Sequence, residues 1–181
     1  MGPLVRADQL NELFRNYHVV LLDARGGADA WQRHLQRSVP GAVFVDLETE
    51  LSAKRGSAAD GGRHPLPLAG NFAEQIAAWG IGPETRVVIF DDKGGANAAA
   101  RAWWMFRALG HRHVAVLDGG LAAISEDFAL EAPHARPDEG FRDQQVLHWH
   151  LPTAAIDEVE QAVSDPNRLV IDVREGYRYR G

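Results

Sequence analysis

Two aspartates stand at the end of an apolar run in residues 87–104, VVIFDDKGGANAAARAWW. Apolar run, glycine-containing loop and helix-forming stretch, in that order, is a layout that turns backbone N–H groups and a helix N-terminus toward an anion or a reacting group. Asp91 and Asp92 place negative charge at the mouth of such a loop. A nucleophilic aspartate working with Mg²⁺, as in a phosphatase-like hydrolase, is one chemistry that acids at a strand end could run, but the usual DxD spacing is missing. Lys93 with Gly94 and Gly95 imitates part of a phosphate loop, yet GxxxxGK[ST] is absent, which argues against nucleotide binding.

The absence of cysteine decides more than any residue present. With zero cysteines, disulfides, thiolate metal sites and a cysteine nucleophile are excluded within these 181 residues. The eight histidines show no HExxH and no familiar ligand spacing. His148 and His150, alternating about Trp149, could bind a metal if they lay on a strand; the pair is read as exposed and uninvolved, and no metal site is expected. A net charge of −6 disfavours a nucleic-acid surface. No apolar run approaches the roughly 20 residues that cross a bilayer, and MGPLVRADQL lacks the layout of a signal peptide, so a cytoplasmic protein without a membrane partner is the default expectation.

The elements that must position the loop follow from periodicity. VVLLDAR (19–25), RVVIF (86–90) and VAVLDGG (114–120) open as short continuous apolar runs, the pattern of strands buried on both faces. SVPGAVFVD (38–46) reads as a turn and a further strand. Helical spacing marks 5–14, 28–37, 71–80, 98–110, 121–128 and 151–163. A Gly-, Ser-, Ala- and Pro-rich stretch over 47–70 reads as a long surface loop, and residues 129–145 lose all periodicity and read as a linker. Alternating strands and helices predict an α/β fold with an open, mostly parallel sheet flanked by helices. Ligands of such sheets bind at the carboxyl ends of the strands, where Asp23, Asp91 and Asp118 stand. Trp103, Trp104 and Phe106 are read as core and domain-interface packing, and Arg101 as a partner for Asp91 or Asp92 across the loop mouth.

A repeat appears after the linker. LPTAAIDEVEQAV (151–163) and LVIDVRE (169–175) repeat the opening helix and strand, and Asp172 and Arg174 stand in the relation of Asp23 and Arg25. Few residues follow the second Asp-x-Arg, so the expected organisation is a first domain over 1–128, a linker over 129–145 and an incomplete second copy over 146–181, with the chain read as a fragment of a longer protein. An unfinished second sheet would expose an edge that could pair with another chain.

VVLLDAR, VPGAVFVD, RHPLP, IGPETRVVIFDD, ARAWWMFRALGH, VAVLDGGLAA and DVREGYRYRG, in this order, resemble the tandem-domain rhodaneses, the thiosulfate and 3-mercaptopyruvate sulfurtransferases. The resemblance implies two rhodanese domains, the first catalytically silent. It implies that the second carries a cysteine that takes sulfane sulfur from an anionic donor as a persulfide and passes it to a thiol or cyanide, with no cofactor. It places Asp91 where an active domain would carry that cysteine, so no residue here is expected to be catalytic. It also implies that Arg178, with Arg174, belongs to a motif that binds the anionic substrate. The parent is therefore expected to be an enzyme and this chain inactive; the alternative is a non-catalytic rhodanese-like module that binds a partner or supports an interface.

Overall fold

Runs that are apolar on both faces bury their side chains only between two helical layers, and their backbones are satisfied only by neighbouring strands. The computed structural model, which describes residues 1–53, 62–125, 128, 148–174 and 176–181, meets both conditions with a five-stranded sheet. Its strands are β1 (Leu4–Val5), β2 (Val19–Arg25), β3 (Val43–Asp46), β4 (Arg86–Phe90) and β5 (Val114–Leu117), in the order β1-β5-β4-β2-β3. Every pairing is parallel, with Leu22 opposite Ile89 and Val43, and Ile89 opposite Val116. The fold is thus the expected α/β architecture, a parallel sheet flanked by helices.

Alternate residues of each strand serve opposite layers. Val87 and Ile89 face a core shared with α3 (Ala69–Ala78) and α4 (Ala98–Ala108), through Phe72, Ile76, Ala102 and Phe106. Val88 and Phe90 face a second core with Leu10 and Phe14 of α1 (Leu10–Asn16). The remaining helix of this layer system, α2 (Ala30–Gln36), follows β2. These elements belong to a compact unit, Met1–His150. Part of the loop expected at the surface is core: Leu47 and Leu51 are buried, and Ala53 donates to the Pro65 carbonyl at 3.0 Å. The helix expected over 121–128 is a single 3-10 turn, Gly120–Ala123, among the residues described there. The linker expected over 129–145 lies outside the described residues.

A second unit, Leu151–Gly181, holds α5 (Ile156–Val163) and the short α6 (Gly176–Tyr179). The strand expected at 169–175 does not form over its described residues: 169–174 are irregular, and Leu169 and Val173 are 82% and 90% exposed. A strand apolar on both faces has no stability without neighbours, and the described residues of this unit supply helices only. Among the described residues, no helix is long and apolar enough to cross a membrane.

Candidate functional site

The loop that leaves β4 turns inward on its own carboxylate. Asp91 is 1% exposed, and both of its carboxylate oxygens accept backbone N–H groups. Oδ1 takes the amides of Lys93 at 2.8 Å and Gly95 at 2.7 Å; Oδ2 takes those of Asn97 and Ala99, each at 3.1 Å. Ala99 lies in the first turn of α4, so the helix N-terminus contributes to the same cradle. Two glycines make the close approach feasible. Gly95 has φ +85°, and a Cβ there would stand 2.6 Å from Val116 Cγ1. At Gly120, φ +58°, a Cβ would stand 2.5 Å from the Asp91 carbonyl, which accepts the Leu121 amide at 2.8 Å.

An amide cradle of this kind stabilises negative charge wherever it comes from. Here the charge is supplied from within, and an Asp91 carboxylate saturated by four amides has no oxygen turned outward to attack a substrate. Among the described residues no group of three metal-ligating side chains forms either, so the aspartate–Mg²⁺ chemistry has no support in the geometry.

Around the loop, Asp92 and Arg101 have partners other than the expected ones. Asp92 pairs with Arg33 of α2, which also donates to the Gly26 carbonyl at 2.7 Å and pairs with Asp29. Arg101 does not reach the loop acids. Its guanidinium donates to the Leu51 carbonyl at 2.9 and 2.8 Å and to Pro65 at 3.2 Å, and burial lowers its pKa. It ties Leu51 and Pro65 to α4 rather than compensating charge at the mouth. At the end of β2, buried Asp23 accepts Arg25 through Nε at 2.7 Å and Nη2 at 2.6 Å, and also takes His34 Nδ1 at 2.7 Å and the Ser38 hydroxyl at 2.5 Å. Asp118 is exposed at the end of β5. Asp23 and Asp91 therefore serve two separate hydrogen-bond networks, and the three strand-end aspartates do not share one. Trp103 and Trp104 pack half-buried against the core that buries Phe106, with the Trp103 indole donating to Val114 at 3.2 Å.

The rhodanese-like domain model matches residues 6–127. The chain belongs to the rhodanese family. It is 35% identical over 193 residues to a probable 3-mercaptopyruvate sulfurtransferase of Pseudomonas aeruginosa, covering 99% of this chain and 64% of that protein. It is 35% identical over 157 residues to the human 3-mercaptopyruvate sulfurtransferase, covering 86% of this chain and 50% of that one. Among solved structures it resembles a 3-mercaptopyruvate sulfotransferase from Escherichia coli, with TM-score 0.74 and 27% identity over 99% of this chain and 68% of that one. The chain thus spans between half and two thirds of the length of these curated relatives.

In this rhodanese, the expected substrate arginines belong to the second unit. Arg174 is engaged locally: its Nε reaches both oxygens of Asp172, at 2.9 and 2.8 Å, and its backbone N–H donates to the same side chain. These bonds hold the Asp172 carboxyl well below its ordinary value, at about 2, and raise the Arg174 pKa. Arg178 is exposed and donates from Nε to the Tyr177 hydroxyl at 3.1 Å, a neutral partner that leaves its charge uncompensated by that contact. Sequence reasoning anticipated amides and a helix N-terminus at this loop but missed that the Asp91 carboxylate itself accepts them, and it missed the Arg33–Asp92 pair and the buried node at Asp23. The Asp-x-Arg repeat was the one available signal for the last of these.

Proposed function

We propose that this chain is part of a sulfurtransferase that moves sulfane sulfur from thiosulfate or 3-mercaptopyruvate to a thiol or cyanide through a cysteine persulfide, and that the chain by itself is inactive. The first domain, proposed over 1–128, is the silent copy; a linker over 129–145 leads to the beginning of the second copy at 146–181. The observation that carries the reading is the Asp91 carboxylate held by four amides at the loop after β4, in a chain with zero cysteines. Those amides are suited to a thiolate or persulfide, since amide donors and a helix N-terminus favour the anionic sulfur. An aspartate there supplies the anion without the sulfur chemistry. The curated relatives named as sulfurtransferases supply the donor class: small anions carrying transferable sulfur.

Arg178 is the better candidate contact for such a donor in the second copy. Arg174 is committed to Asp172, whereas Arg178 presents its guanidinium beside a neutral hydroxyl. The test is a sulfur-transfer assay of the purified 181-residue chain with thiosulfate and cyanide, and with 3-mercaptopyruvate and a thiol, beside the longer gene product. Turnover by the longer product alone is expected. Turnover by the cysteine-free chain would sink the mechanism, and a gene that ends at codon 181 with no turnover would favour a non-catalytic rhodanese-like binding or interface module.

A further inference from the structure

The sequence reading leaves the histidines beside Trp149 without a role; their placement suggests one. Trp149 is a peg. Its ring packs on Phe72 and Trp104, with centroid distances of 5.9 Å to each, and its indole N–H donates to the Pro67 carbonyl at 3.3 Å. The next amide is pinned as well, His150 N–H donating to the Ala108 carbonyl at 2.8 Å at the end of α4. The chain is thereby fixed at the Trp149 side chain and at the peptide N–H that follows it. The side chains flanking the peg are left exposed, and they are both imidazoles, with ring centroids 4.7 Å apart and planes at 74°.

We infer that His148 and His150 form a two-imidazole site for a late divalent transition metal such as Ni²⁺ or Zn²⁺, held ready by the seating of Trp149. Imidazole suits these ions, and with no thiolate in the chain histidine is its softest strong ligand. Two ligands alone bind weakly when both must be ordered; here the backbone between them is anchored at Trp149 and at the His150 amide, so part of the entropy of chelation is met in the apo protein. Trp149 touches no metal. It is a positioning residue, acting through the backbone on which both imidazoles are carried.

The experiment is isothermal titration of the full 181-residue chain with Ni²⁺ near neutral pH, repeated on His148→Ala, His150→Ala and Trp149→Ala, with thermal melts of each. Saturable binding of one ion per chain is expected, lost in either histidine variant while the melt stays unchanged, because both side chains are exposed. Trp149→Ala, with both histidines intact, is expected to weaken binding about tenfold, in the range of outer-shell substitutions at metal sites. Binding retained in both histidine variants, or uptake that never saturates, would overturn the site. An unaltered Ni²⁺ affinity in Trp149→Ala would overturn the positioning role.

Discussion

Replacing Asp91 by alanine removes one carboxylate and strands four amides. Two of these bonds, to Gly95 and Ala99, are buried, and the other two are partly so. A hydrogen bond to a charged group contributes about 1.5–3 kcal/mol, and a buried donor left unpaired costs about 1–3 kcal/mol. The four are not independent, since the loop can open and admit water to the Lys93 and Asn97 amides, so the two buried donors set the scale. The expected loss is then roughly 3–6 kcal/mol, a large fraction of the ~5–15 kcal/mol that holds a domain together. At about 2–4 °C per kcal/mol for a chain of this size, the melting temperature should fall by on the order of 10 °C. Circular dichroism melts of wild type and Asp91→Ala measure it directly. A second arm adds sodium formate at constant ionic strength: a free carboxylate should recover part of the loss in the variant and leave wild type unchanged. A variant that melts within about 2 °C of wild type would refute the claim that the cradle depends on its internal anion.

Asp91→Cys should carry a thiol with a pKa below the ordinary value of about 8.5, because the amides and the α4 N-terminus favour thiolate; ultraviolet titration of the thiolate reads it, and an ordinary or raised value would count against the cradle as a sulfur site. His111 is 2% exposed, donates from Nε2 to the Thr85 carbonyl at 2.9 Å, and is held neutral by burial, its pKa lowered from 6.5 to about 4. The unfolded ring therefore binds its proton first as pH falls, so the stability this histidine contributes is present above about pH 6.5 and drains away toward pH 4, with about 2 kcal/mol lost between pH 7 and 5. Urea unfolding of wild type and His111→Gln at both pH values checks this, the variant showing a correspondingly shallower fall; equal slopes would contradict it. Leu169, Ile171 and Val173 are exposed in the second unit, so the chain should self-associate with rising concentration, and serine at all three positions should return it to monomer in light scattering; a wild-type chain monomeric at every concentration would contradict this.

The sheet was legible because its strands carry the signal within themselves. Val87 to Phe90 are apolar at every position, and only a strand covered on both faces uses them all. β1 was not legible, since two residues carry no period, and it forms because Val5 pairs in register with Leu117 across the chain. The candidate site divides the same way. That Asp91 ends a strand before a glycine loop is a local fact, readable from sequence. That Asp92 finds Arg33 while Arg101 turns to Leu51 is decided by where α2, Leu51 and Pro65 pack, which charge sign alone cannot tell.

The two Asp-x-Arg motifs separate local from tertiary causes within a single chain. Both pairs close through an arginine Nε onto the carboxylate two residues earlier, at 2.7 Å for Arg25 and 2.9 Å for Arg174. The first is buried in a sheet, and the second sits in an irregular, exposed segment, so the pair itself requires neither strand nor core. What the sheet adds is the rest of the node. Asp23 also takes His34 and Ser38, and Arg25 reaches the Arg37 carbonyl at 2.6 Å, contacts that tie the end of β2 to α2 and the turn after it. The same distinction explains why 169–174 kept its ion pair and lost its strand. An i, i+2 pair needs only its own two residues, whereas a doubly buried strand needs partners on both edges and both faces. A longer chain that supplied neighbouring strands would leave the Asp172–Arg174 pair in place and bury it, and the amides of 169–173, expected to exchange freely in the 181-residue chain, would become protected from hydrogen exchange.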